Sequence, residues 1–234
     1  MLLEIVIWFV LVRQWNPICR ILMIFNRAYH YMFKAEHCIN IFNQAIEDYH
    51  RFDDVDAILV LPEFNSIQDQ ELYKKCWIDT VQWHLEDIIR IPSLPAEKFI
   101  ETKRRIDISN QWRTDMVEHI DQWFADQYIS VSVLPNARMN TETPAWAIDR
   151  LSILCLKIYH MREQVQRTDS TEELVKQCRT KLEILLMQQE DLVKSLNALI
   201  EEIAQGKTLM RTYQQMKMYN DPKLNPQLYA KPKI

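Results

Sequence analysis

A single glycine, Gly206, serves a chain of 234 residues that also carries nine prolines. Tight hairpin turns need residues at positive φ, and glycine adopts them without steric cost. Loops that cradle phosphates use glycine so that backbone can approach the ligand. One glycine therefore argues against a multistranded β fold, a Rossmann turn and a P-loop. The apolar residues point to helix instead, because they recur three and four apart. The expected fold is all-α, an antiparallel up-and-down bundle of about five to six helices, and 234 residues suffice for one core.

Net charge is −4 and no long basic run occurs, so a nucleic-acid partner has no electrostatic footprint. The five cysteines, Cys19, Cys38, Cys76, Cys155 and Cys178, are odd in number, scattered, and form no C-x-x-C. Reduced thiols in a cytoplasmic protein account for them, and the missing ligand spacing argues against zinc. The opening stretch MLLEIVIWFVLV is apolar for only about eleven residues and contains Glu4, whereas a spanning helix needs about 20. Glu4 precedes the apolar run and Arg13 comes after it, the reverse of a secretory leader. Residues 1–31 are expected to be a non-native or mis-assigned extension, with Met32 the initiator. A weak membrane anchor and a packed amphipathic segment are the alternatives.

The first helix is expected from about Ala35 to Arg51, followed by the linker RFDDVDAILVLPEFNS with a cap at Ser66. The second runs from about Ile67 to Arg90, before Pro92. The short turn IPSLP makes the third, about Ala96 to Tyr128, its antiparallel neighbour. Thr143 caps a fourth helix with Pro144 at its first position, ending near Arg167. Ser170-Thr-Glu-Glu173 reads as a capping box for a fifth, which Gly206 stops. A sixth is expected over 207–219. That makes 32–219 one bundle domain and the proline-rich 220–234 an extended tail.

Advancing each residue by 100° places His84 at the centre of an apolar arc on the second helix, among Trp77, Val81 and Ile88. Asp87 lies at its edge, while Glu86 and Arg90 point away as an intrahelical pair. On the third helix Arg113 falls among Phe99, Ile106, Val117, Ile120 and Phe124. Beside that arc runs a polar stripe of Lys103, Asp107, Asn110, Thr114 and Asp121, with Gln111 and Glu118 one step further round. The fourth helix is apolar on nearly every side, and Asp149 and His160 share one of its faces. An unpaired buried charge costs several kcal/mol, so His84 and Arg113 need partners. Asp87, Asp107, Glu118, Asp121 and Asp149 are the available acids, which implies a connected polar network among the second, third and fourth helices.

Two chemistries fit such a network. Asp87, Glu118 and Asp121 are carboxylates suited to Mg²⁺ or Mn²⁺ and a phosphate-bearing substrate. Without metal, His84 would act as acid or base while Lys103, Arg90, Arg104 or Arg113 grips an anionic ligand. A purely structural network in a non-enzymatic module is the rival, since buried ion pairs also fix register. The heptad-like fifth helix packs on the fourth or joins a homodimer.

The strings WIDTVQWHLEDIIR, KRRIDISNQWRTDMVEHID, NTETPAWAIDRLSILCLKIYHM and YQQMKMYNDPKLNPQLY resemble the bacterial domain-of-unknown-function 4254 family, over about residues 33 to 230. In that pattern W-H-x-E-D-x-x-R falls on Trp83, His84, Glu86, Asp87 and Arg90. The next element falls on Lys103, Arg104 (or Arg105 by one step), Asp107, Asn110, Gln111, Arg113, Asp115, Glu118 and Asp121. N-T-E-[ST]-P and D-R-L-S-I-L add Asn140, Glu142, Asp149 and Arg150. The resemblance implies no reaction. The expected function is binding, hydrolysis or transfer of an anionic, phosphate-bearing small molecule. His84, Asp87, Glu118 and Asp121 are its catalytic candidates, with the remaining polar residues as ligand contacts.

Overall fold

A computed structural model describes residues 33–218 and 221–229. The chain divides into the units Met1–Phe33 and Lys34–Ile234, and every described helix belongs to the second. The expectations for residues 1–31 and Met32 lie outside the described residues.

The fold is all-α. Its helices are α1 (Ala35–Tyr49), α2 (Ile67–Ile88), α3 (Ala96–Gln127), α4 (Pro144–Gln166), α5 (Glu172–Ala204) and the single turn α6 (Pro226–Tyr229). The helix starts are written in the sequence. Ser66 Oγ accepts the Asp69 N–H and Thr143 Oγ1 accepts the Trp146 N–H, each satisfying an orphan donor of the first turn. The expected capping box does not form: Thr171, not Ser170, is the N-cap and accepts the Leu174 N–H, and no Glu or Gln stands three residues after it. Among the described residues no helix is long and apolar enough to cross a membrane.

Paired residues give the directions. His37 bonds Asp69 near the starts of α1 and α2, and His50 meets His84 near their ends, so these two helices run alongside in the same sense. The linker between them carries the chain back. Glu71–His119, Arg113–Asp79 and Gln82–Asn110 make α2 and α3 antiparallel. Arg113–Asp149 and Cys155–Gln189 place α4 against α3 and α5. α2 thus touches α1, α3 and α4, and side chains on most of its circumference are buried, including Leu72, Tyr73, Cys76, Thr80 and Leu85.

The helix expected over 207–219 does not form. Thr208–Leu209 instead pairs in parallel with Arg138–Met139, as strands β2 and β1. Residues beyond them run along α3, where Glu118 accepts the Gln215 N–H and Lys217 Nζ donates to the Asn110 carbonyl. The first contact satisfies a backbone N–H that a helix would have used internally, and the second anchors the segment through a side chain. The first half of α5 leaves Ile184, Leu186 and Met187 exposed.

Candidate functional site

The buried charges meet between α2, α3 and α4. Lys75 and Asp79 stand one turn apart on α2 and pair, both side chains fully buried. Arg113 Nε donates to Asp79 at 2.6 Å, and Ser152 Oγ donates to the same carboxylate at 2.6 Å. Asp149 accepts from Lys75 at 2.7 Å and from Arg113 at 3.4 Å. Two cations and two carboxylates balance. Burial by itself would raise the Asp149 pKa, but the Lys75 ammonium and then the Arg113 guanidinium outweigh it and hold it below the ordinary value. Burial likewise opposes the charge of Arg113, yet Asp79 and Asp149 raise its pKa.

Arg113 and Asp149 belong to this network as expected; Lys75, Asp79 and Ser152 were missed. A hydropathy wheel reads Lys75 and Asp79 as solvent positions. Their i,i+4 spacing, which lets each neutralise the other, was the available signal.

His84 is not part of it. Five residues separate Asp79 from His84, which turns the side chain by roughly 140° and moves it roughly 7.5 Å along α2. His84 Nε2 instead lies 3.2 Å from His50 Nε2 and 3.9 Å from Asp53. It stacks on Tyr49 and meets His160 edge-on. Burial first, then the neighbouring imidazoles, hold the His84 pKa below its ordinary value.

Asp87, Glu118 and Asp121 do not form one metal-binding set. The antiparallel pairs of α2 and α3 place Asp87 level with residue 105, roughly 20 Å along the helix from Glu118. Asp87 is exposed. Asp121 is buried, hydrogen-bonded by the Thr143 side chain, with Oδ1 unpartnered. Several expected ligand contacts are surface pairs. Arg90 bonds Glu86, Lys103 bonds Asp107, and Gln111 donates to Asp115. Arg104 is exposed, and Asn110 accepts from Gln82.

Asp121 carries a pH prediction. Burial raises its pKa from 3.8 to about 6. The folded state then holds a proton that the unfolded state releases, so stability falls as pH rises between those values. Asp121→Asn is expected to be more stable than wild type at pH 7.5, by about 2–3 kcal/mol. The gain should vanish near pH 3.5. Thermal melts of both proteins across that range check it, and an equal offset at every pH would refute it.

Asn140, Glu142, Asp149 and Arg150 do come together. They line a cleft of about 830 Å³ between α4 and α5, which Arg138 and Lys157 also line. Arg150 bonds Glu142 at 2.8 Å and Arg138 bonds Glu202 at 2.6 Å, both at the surface. The Asp149 carboxylate joins this cleft to the buried network.

A family model described as a protein of unknown function (DUF4254) matches residues 69–212. No curated protein and no solved structure matches the chain.

Proposed function

The chain belongs to the DUF4254 family, and from that premise we propose that it binds a small molecule bearing a phosphate-class anionic group in the cleft between α4 and α5. The observation that carries this reading is the set of cations on the cleft wall, Arg138, Arg150 and Lys157. Arg150 pairs with the exposed Glu142, and Arg138 with the half-buried Glu202 and the Asn140 side chain; pairs near the surface are worth about 0–1 kcal/mol. An anion exchanges for them at little cost, and a guanidinium grips it with two parallel hydrogen bonds. Among the described residues no carboxylate pairs with Lys157.

The charge-balanced network supports a scaffold role for its own members. Lys75, Asp79 and Arg113 have no charge to spare for a ligand, so the site lies beside the network and takes only Asp149 from it. Asp149, fixed by two cations, gives the cleft floor a rigid acceptor for a hydroxyl or amine of the ligand.

Thermal shift against inorganic phosphate, phosphate monoesters, nucleotides and nucleotide sugars tests the reading. At least one should raise the melting temperature of wild type. Arg150→Ala with Lys157→Ala should abolish that rise yet melt as wild type does without ligand, because surface changes usually stay within about 0.5 kcal/mol. No rise across the screen, or a rise that survives the double substitution, would overturn it.

A further inference from the structure

At the other end of α4 three imidazoles converge from three helices. His50 follows the last turn of α1, His84 sits in the last turn but one of α2, and His160 lies near the end of α4. One ring nitrogen of each lies within 4.8 Å of the others. Histidines rarely need one another: neutral rings offer each other one weak hydrogen bond, and charged rings repel. The arrangement calls for something that three nitrogens share.

The hydrogen bonds leave inward lone pairs on His50 and His160, while His84 Nε2 donates to His50 Nε2 and must give up that proton to ligate a metal. His50 Nδ1 donates to the Ile46 carbonyl at 2.6 Å, which leaves Nε2 as the acceptor of a neutral ring. His160 Nδ1 lies 2.7 Å from the Glu163 carboxylate, which places its proton there. His160 Nε2 is then an acceptor, buried and without any hydrogen-bond partner. Buried polar atoms are normally satisfied, so an orphan of this kind asks for an explanation. Backbone-carbonyl and carboxylate partners on the far nitrogen are the usual supports of a metal-ligating histidine, fixing its tautomer and aim. Trp83 stacks on His160 and Tyr49 on His84, which restrains those rings.

We propose that His50, His84 and His160 form a three-nitrogen site for one transition-metal ion of the zinc class. At zinc–nitrogen distances of about 2.0–2.1 Å, tetrahedral ligand nitrogens stand roughly 3.3 Å apart. The His50–His84 separation of 3.2 Å matches this, and the His160 nitrogen, within 4.8 Å of both, closes the remaining distance on binding. Imidazole donors select zinc, copper, nickel or iron over magnesium or calcium. Three protein nitrogens leave a fourth position open, and Asp53, 3.9 Å from His84 Nε2 and largely exposed, stands beside it. The site uses none of the residues that line the α4–α5 cleft, although Lys157 on the cleft wall precedes His160 by only one turn of α4.

The test uses the tag-free full chain, stripped with chelator and titrated with Co²⁺ and then Zn²⁺ at pH 7.5. One equivalent of Co²⁺ should bind, with visible bands of a nitrogen-rich low-coordinate ion and no thiolate charge-transfer band. Zn²⁺ should displace it. His160→Gln should weaken binding at least a hundredfold. Glu163→Gln, at a half-exposed position, should keep the stoichiometry and weaken affinity about 10–100-fold, and it decides the matter if His160→Gln fails to fold. Absence of stoichiometric binding, a thiolate band, or affinity unchanged in Glu163→Gln and in a folded His160→Gln would overturn the proposal.

Discussion

Asp79→Ala is expected to destabilise the bundle by about 3–5 kcal/mol, the usual cost of removing one member of a buried ion pair. The carboxylate it deletes accepts from Lys75, Arg113 and Ser152 together. Afterwards two buried cations face one acid, Asp149, and a serine hydroxyl loses its acceptor. Lys75→Met should cost a similar amount with the opposite imbalance, since Asp79 and Asp149 would share only Arg113. The decisive comparison is the double variant Lys75→Met with Asp79→Leu. It keeps Arg113 and Asp149 as a balanced pair and fills the fully buried positions with apolar atoms. It should therefore be more stable than either single variant, with a coupling energy above about 2 kcal/mol. Denaturant unfolding of wild type, Lys75→Met, Asp79→Leu and the double variant measures this. Additive losses would show that the network is a set of separate contacts. The acid limb gives a second readout. The Asp149 pKa lies below its unfolded value, so its contribution is present above that unfolded value and is lost as pH falls through the folded one.

The same residues show where sequence reasoning stopped. Helix ends were legible because they rest on local chemistry: Ser66 and Thr143 cap where their side chains predict, and Pro144 opens α4. The capping-box pattern fitted Ser170 with Glu173, but the neighbouring hydroxyl, Thr171, took the cap without an acid three residues on. The extended run after Gly206 was illegible for the opposite reason. Its helical spacing is real, but partners on the loop before α4 and on α3 capture its backbone. The interior followed the same division. The inference that Arg113 must find carboxylates held, because desolvation demands it whatever the topology. Which carboxylates it found depended on α2 being surrounded on three sides, a fact of packing that one helix wheel does not contain. A wheel that scores charge as solvent-seeking hid Lys75 and Asp79, although together they bring no net charge inside. His84 sat on an inward face as expected, yet its company comes from His50, 34 positions earlier, and His160. Short-range spacing is the only metal signal a sequence offers, and three histidines brought together from distant positions leave none.

Gly206→Ala is expected to cost about 2–4 kcal/mol through two separate strains. The first is conformational. α5 ends in a Schellman arrangement, with the Gly206 N–H on the Ile203 carbonyl and the Lys207 N–H on the Glu202 carbonyl. This holds Gly206 at φ +69, where a side chain costs about 1 kcal/mol. The second is steric. A Cβ there would overlap the Ser132 carbonyl oxygen, which is backbone and cannot rotate aside, and overpacking of that kind typically costs a further 1–3 kcal/mol. The position also ties the loop before α4 to the end of α5, since the Gly206 carbonyl accepts the Leu134 N–H and β2 begins two residues later. Displacing it should shift Arg138, which pairs with Glu202 on α5 and lines the proposed anion cleft. Two measurements separate these effects. Denaturant unfolding should show the loss of stability, and hydrogen exchange should show faster exchange at Leu134 and Arg138 than at the core of α2. Gly206→Asn, whose side chain tolerates this region of φ, should recover part of the conformational loss but none of the steric one. An alanine variant as stable as wild type would mean that the loop carrying Ser132 yields freely, and that the end of α5 does not fix the wall of the cleft.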